Sequence, residues 1–184
     1  MQNPRRITDE DIISQCKTGS LSYQELFYKR FYGYAMSIGL RYSLNRDDAL
    51  EVVNDAFIKV FNSLGNFNSD KPFKAWFRTI IINTALDRRR KDSKFKLNTE
   101  LENAHAVAAT ISAIENLNAQ DILKLMNELP GMHNAVFNLH EIDGYNHDEI
   151  ASLLSIPTSS SRVYLSRAKE KLRMLIKREE QKHG

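Results

Sequence analysis

Asp143-Gly144-Tyr145-Asn146-His147-Asp148-Glu149-Ile150-Ala151-Ser152-Leu153-Leu154-Ser155-Ile156-Pro157-Thr158 is the stretch that decides the fold of the second half of the chain. Gly144 suits the position just past a helix end, where the backbone turns left-handed. Asn146 with Glu149 three residues on has the form of a capping box, so a helix opens near Asp148 and runs to Leu154. Ser155 to Thr158 reads as a short turn. A final helix of roughly twenty residues follows, from about Thr158 to Arg178. Two helices joined in this way form a helix-turn-helix. Ala151 lets the pair approach closely, and Ile150, Leu153 or Leu154, Ile156 and Leu165 close the small core between them.

On the final helix the core positions are Leu165, Ala168, Leu172, Leu175 and Ile176. Ser160, Ser161, Arg162, Tyr164, Arg167 and Lys171 are left on or near the exposed side. A helix lying in the major groove reads base edges with its first residues and holds phosphates with bases farther along. Ser160, Ser161, Arg162 and Tyr164 are therefore candidate readers, and Arg167, Lys169 and Lys171 candidate phosphate clamps. Arg167 and Lys171 equally fit an ordinary solvated helix face.

Working toward the N-terminus, a helix from Asn118 or Asp121 to Leu129 ends at Pro130-Gly131, and another runs from Met132 to Asp143. Residues 92–118 are acidic, rich in alanine, asparagine and serine, and poor in large apolar groups, which predicts a flexible linker. Ahead of it, Leu21, Leu26, Phe27, Phe31, Tyr34, Ala35 and Ile38 mark the core face of one amphipathic helix. The next begins near Asn45 or Asp47 and ends about Phe61, with Ala49, Val52, Val53, Ala56, Phe57 and Val60 on one side. Its other side carries Asp47, Glu51 and Asp55 at i, i+4 and i+8, with Asp48 and Asn54 beside them. Ser63 to Asp70 reads as a loop, and a helix from Pro72 to Lys91 buries Phe73, Phe77, Ile80, Ile81 and Thr84 or Ala85.

With 184 residues and 42% hydrophobic side chains, the chain builds a core and is too apolar to be disordered. Only 7 glycines and 4 prolines punctuate it, too few for hairpins, barrels or glycine-rich phosphate loops, so the fold is all-α. Apolar runs such as Ile80-Ile81-Ile82 fall far short of the ~18 residues of a membrane span, and MQNPRRITDEDII lacks a signal-peptide core. A cytoplasmic location without membrane insertion is the expectation. The lone Cys16 reads as a small buried hydrophobe.

The net charge of +3 hides two basic stripes. Residues 71–91 and residues 162–178 each carry +6, while residues 92–130 carry −3. Such a pattern points to two contacts with one polyanion. No phosphate loop, H-E-x-x-H, C-x-x-C or G-x-S-x-G is present, and the five histidines have no ligand-like spacing. No catalytic role, cofactor, metal or small-molecule substrate is expected.

Several residue sets together carry a resemblance. Leu129-Pro130, Ala135-Val136-Phe137-x-Leu139, Asp143-Gly144-Tyr145-x-His147-x-Glu149-Ile150-Ala151-x-x-Leu154-x-Ile156 and Leu165-Ser166-Arg167-Ala168-x-x-x-Leu172 resemble the C-terminal helix-turn-helix of extracytoplasmic-function sigma factors. Tyr23-x-x-Leu26-Phe27, Asp48-Ala49-x-Glu51-x-Val53-Asn54-Asp55-x-Phe57 and Phe73-x-x-Trp76-Phe77-x-x-Ile80-x-x-Asn83-x-Ala85-Leu86-Asp87-x-Arg89-Arg90 resemble its N-terminal domain. The chain departs from the family pattern at Asn54, where glutamine is common, and at Pro157-Thr158 and Ser159-Ser160.

The resemblance implies a dissociable specificity subunit of bacterial RNA polymerase, with two small helical domains. Residues 6–91 would bind core polymerase and recognise and melt the minus-ten element, 92–118 would be the linker, and 119–182 would bind the minus-thirty-five element. Asp48, Glu51, Asn54 and Asp55 form an acidic and amide face suited to a basic partner surface, here the polymerase. Phe67, Asn68, Trp76, Asn83, Arg88, Arg89 and Arg90 are the minus-ten candidates. Stacking on an aromatic is worth ~1–3 kcal/mol per base, comparable with the few kcal/mol of unpairing. Phe73 and Phe77 fit core spacing better, and Asp87 suits an arginine-orienting role. Partners would be core polymerase, promoter DNA and, as in many relatives, an anti-sigma factor. A free-standing helix-turn-helix regulator is the alternative, and a nuclease using Asp47, Glu51 and Asp55 for metal the remote one.

Overall fold

The computed structural model describes residues 7–95 and 119–183, which contain eight α-helices and no strand. The chain divides into two units, Met1–Arg90 and Lys91–Gly184, each with its own core. The expected linker falls largely at residues 96–118, outside the described residues.

The first unit contains α1 (Asp9–Lys17), α2 (Leu21–Tyr42), α3 (Arg46–Ser63) and all but the last residues of α4 (Phe73–Phe95), which continues past Arg90. Along α3 every core position read from the sequence is buried, from Ala49 and Val52 to Phe57 and Val60. Its start is fixed by Asn45, whose Oδ1 accepts the Asp48 N–H at 2.8 Å. Helix α2 packs closely on α3 at Gly39, where a Cβ would lie 3.1 Å from Val53 Cγ2 and 3.3 Å from the Ala49 carbonyl oxygen. On α2, Phe27, Phe31, Ala35 and Ile38 are buried as expected, whereas Leu21 is 80% exposed. Leu21 is the first residue of its helix, so there is no preceding turn for its side chain to cover.

Phe27 is the hub of this core, with ring centroids 4.8 Å from Phe31, 5.4 Å from Phe61, 5.5 Å from Phe73 and 6.0 Å from Phe57. Truncating such a buried ring to alanine costs about 3–5 kcal/mol. Helix α4 follows Pro72 directly and buries Phe77, Ile81, Ile82, Thr84, Ala85 and Leu86. It runs on to Phe95, past the expected end at Lys91. The predicted loop before it contains one tight turn, Leu64–Asn66, that buries Leu64.

Helix α1 has no counterpart in the sequence reading. Thr8 and Asp11 form a reciprocal capping box, with the Thr8 N–H donating to Asp11 Oδ2 at 3.0 Å and Thr8 Oγ1 accepting the Asp11 N–H at 3.1 Å. The helix buries Ile12, Ile13 and Cys16. Burial pushes the Cys16 thiol up to about 11, which leaves it protonated and unreactive near neutral pH.

The second unit contains α5 (Ala119–Asn127), α6 (Gly131–Phe137), α7 (His147–Leu154) and α8 (Thr158–His183). Helix α8 packs against α5, α6 and α7. Two buried asparagines stitch α5 to α6: Asn134 Nδ2 donates to the Met126 carbonyl at 2.6 Å, and Asn138 Nδ2 donates to Asn134 Oδ1 at 2.8 Å. After α6 one wide turn over Asn138–Ile142 brings the chain to Gly144, at φ +78°, as expected of a residue past a helix end. Asn146 and Glu149 form the expected capping box at the start of α7. Helix α7 ends at Ser155, left-handed at φ 55°, and the Ile156 N–H reaches back to the Ala151 carbonyl at 3.1 Å.

Candidate nucleic-acid interface

Two side-chain bonds set the angle between α7 and α8. Thr158 Oγ1 donates to Asp148 Oδ1 at 3.0 Å, and Ser161 Oγ lies 2.9 Å from His147 Nδ1. Ser161 is 0% exposed, which removes it from the readers: a hydroxyl buried against α7 does not reach a base edge. It stands four residues before Leu165, on the same stripe as Leu165, Ala168 and Leu175. The exposed face is instead Ser159, Arg162, Val163, Ser166 and Arg167, spaced i, i+3, i+4, i+7 and i+8, with Lys171 one turn beyond.

Ser159, Val163 and Ser166 escaped the sequence reading, although extending the core stripe back from Leu165 by one turn points to them. Ser160 and Tyr164 are half-buried, Tyr164 with its ring 5.3 Å from His133. Together with Ser159, Val163 and Arg167 they line a shallow cavity of about 210 Å³. Lys169, a candidate clamp, is paired with Glu141 at 2.8 Å.

His140 and His147 stack at 4.7 Å across the Gly144 turn, a contact hidden by their separation in sequence. Burial lowers the pKa of His147, and the charges of His140 and Arg162 lower it further. Burial also lowers His133, with Arg167 adding to the effect. Glu141 is opposed by burial, yet hydrogen bonds from Lys169 and His140 hold its carboxyl below the ordinary range.

In the first unit, Phe67 is only 7% exposed. Its ring lies 4.8 Å from Trp76 and edge-on to Phe73 at 5.5 Å, so a base stacks there only if these rings part. Trp76 is half-buried, whereas Asn68 and Asn83 are exposed. Asn68 Oδ1 accepts the Asp70 N–H at 2.9 Å, which folds the loop tip on itself. Beside the loop runs a groove of about 580 Å³ whose lining mixes Lys17, Lys71 and Lys74 with Asp9, Glu10 and Asp70.

Two of the predicted residue sets meet. Arg88 reaches from α4 to the acidic face of α3, with Asp48 at 3.9 Å and Glu51 in direct contact. As a minus-ten candidate Arg88 is therefore occupied by carboxylates in the structure. Asp87 accepts from Arg90 at 2.7 Å and faces Lys59 at 3.7 Å, the orienting role its position suggests. Arg89 is half-buried, and burial lowers its pKa. Asn54 accepts a hydrogen bond from the Tyr28 hydroxyl at 3.1 Å, and Asp55 is exposed. Among the described residues no group of three or more His, Cys, Asp or Glu is placed to hold a metal ion, and no helix is long and apolar enough to cross a membrane.

A helix-turn-helix with a cationic outer face, in one chain with a helical unit whose arginine row adjoins an acidic face, has the form of a DNA-binding protein. The family model for sigma-70 region 2 matches residues 27–95, and that for sigma-70 region 4 matches residues 119–172. The chain is 29% identical over 189 residues to the ECF RNA polymerase sigma-E factor of Escherichia coli (strain K12), covering 94% of this chain and 98% of that one. It is 25% identical over 175 residues to the RNA polymerase sigma-H factor of Pseudomonas aeruginosa, covering 88% and 90%. In fold it is similar to the sigma factor RpoE solved with the anti-sigma factor NepR from Bartonella quintana, with a TM-score of 0.55 at 21% identity over 83% of this chain and 96% of that one. The chain belongs to the extracytoplasmic-function group of the sigma-70 factors, a family of transcription initiation factors.

Proposed function

We infer that the chain is a dissociable promoter-specificity subunit that binds bacterial RNA polymerase core and directs it to its start sites in the cytoplasm. Residues 6–91 dock on the polymerase through Asp48, Glu51, Asn54 and Asp55, and engage the minus-ten element with Asn68, Trp76, Asn83, Arg89 and Arg90. Phe67 supports that loop from beneath. Residues 119–182 read the minus-thirty-five element in the major groove, with Arg162 as the bidentate reader and Arg167 and Lys171 on phosphates. The observation that carries this reading is the exposed helical face of Ser159, Arg162, Val163, Ser166 and Arg167 on the second helix of a helix-turn-helix. The polymerase supplies the phosphoryl-transfer chemistry, and this subunit selects where it begins. An inhibitory anti-sigma protein is a further expected partner, since the Bartonella relative was solved with one.

The test is reconstitution of the purified chain with core polymerase. Co-elution and promoter-dependent run-off transcripts are expected. No association with core, combined with tight and salt-sensitive duplex binding by a dimer, would return the chain to the free-standing regulators.

A further inference from the structure

We propose that Lys17, at the end of α1, is a positioning residue that holds the 67–70 loop in the shape that captures the single strand. This rests on the assignment of that loop to the minus-ten element. Helix α1 lies ahead of the residues matched by the region 2 model, which begin at 27. Nothing in the motif sets that define the family points to it.

Lys17 Nζ donates to the Phe67 carbonyl oxygen at 3.1 Å, reaches Ser69 Oγ at 3.5 Å and stands 5.7 Å from the centroid of the Phe67 ring. Three contacts from one ammonium thus converge on one short segment, 50 residues away in sequence. The loop's other hydrogen bonds are local: the Phe67 N–H to the Leu64 carbonyl at 3.1 Å, the Lys71 N–H to the Asn68 carbonyl at 3.1 Å, and the turn within Asn68 to Asp70. Such local turns shape the tip and leave its angle to the body open, and a charge-assisted bond from α1 fixes that angle. Because the Phe67 ring packs on Trp76 and Phe73, fixing the Phe67 carbonyl also fixes the aromatic floor beside Trp76.

Lys17 is exposed, and α1 is held to the body by Ile12, Ile13 and Cys16. Removing the ammonium therefore leaves α1 packed and releases only the loop. The partners of Nζ are a carbonyl, a hydroxyl and a ring face, all neutral, so the interaction orients the loop without neutralising a carboxylate, beside a groove that Lys71 and Lys74 line together with Asp9, Glu10 and Asp70.

The experiment uses full-length Lys17→Met and Lys17→Arg chains assembled with core polymerase. The probe is a fluorescein-labelled single strand covering the minus-ten element of a promoter recovered in the run-off assay. Lys17→Met is expected to bind it about tenfold more weakly, and Lys17→Arg to restore most of the loss, since arginine also donates to a carbonyl. Affinity for a minus-thirty-five duplex, and the salt slope of single-strand binding, should stay at the parent values. Parent-like strand binding by Lys17→Met overturns the proposal. So does a salt slope smaller by about 0.7, which would mean that Lys17 touches a phosphate directly. Amide hydrogen exchange of residues 67–71 in the free chain gives a readout independent of DNA: it should quicken in Lys17→Met with α3 unchanged, and identical exchange overturns the role. If the parent holoenzyme captures no strand, the loop assignment itself falls, an outcome distinct from a parent that captures the strand and a variant that captures it equally.

Discussion

One step along an α-helix is about 100° of rotation, enough to place Ser161 under α7 and Arg162 in solvent. Both are polar, and residue type alone does not separate them; the stripe through Leu165 and Ala168 does. Substitutions at the two sites should therefore separate structure from recognition. Arg162→Ala should flatten base preference at one or two positions by ~1–3 kcal/mol if its contact is bidentate, measured across a panel of mutated minus-thirty-five duplexes. Ser161→Ala should leave that preference profile intact and lower unfolding stability by about 1 kcal/mol, because the half-buried His147 ring loses its partner. A profile altered by Ser161→Ala and untouched by Arg162→Ala would place the reading face on the wrong side of α8.

At the scale of elements, how much of the fold was legible follows from helix length and from where partners come from. Helix α3 was legible because its apolar positions recur over 18 residues with a cap in front. Helix α1 was not, because 9 residues carry only Ile12, Ile13 and Cys16 on the buried side, too short a run for the period to stand out. The exposure of Arg162 and Arg167 could be read along α8 itself. The partners of Arg88 could not, since Asp48 and Glu51 come from another helix and no local spacing encodes that meeting. The same holds for His140 and His147, which stack across the Gly144 turn. Folding lowers the pKa of His147 and of His133, so the unfolded chain binds more protons than the folded one just below the ordinary histidine range. Their contribution to stability is whole above about pH 6.5 and is lost as pH falls through the lowered folded values. Amide protection in α7 and α8 should therefore drop between pH 7.5 and pH 5.5, and His147→Gln should reduce that drop. A pH-independent protection pattern over this window would contradict the half-buried, cation-flanked setting of the two rings.

For the whole molecule the question is how charge is divided between tasks. The basic stripes at 71–91 and 162–178 have the same net charge in sequence, and in each only some of the bases are open. Arg88 and Arg90 lean on Asp48, Glu51 and Asp87, and Lys169 and Arg178 on Glu141 and Glu128, whereas Arg162, Arg167 and Lys171 lie on the open face of α8. Exposed ion pairs of this kind are worth only ~0–1 kcal/mol, weak enough to exchange for a phosphate or a polymerase surface, yet they reduce the counterions released on first contact with duplex. In the free chain, Arg167→Ala combined with Lys171→Ala should lower the salt slope of duplex binding by about two, while Arg88→Ala should leave it near the parent value. Polymerase binding should divide the other way. Asp55→Arg reverses an exposed charge on the α3 face and should weaken association with core polymerase, while affinity for a minus-thirty-five duplex stays unchanged. Both are measured on the same preparation, by fluorescence titration with core enzyme and with the duplex. Equal loss of the two affinities would mean that the acidic face supports the fold, and the docking surface would have to be sought elsewhere on the first unit.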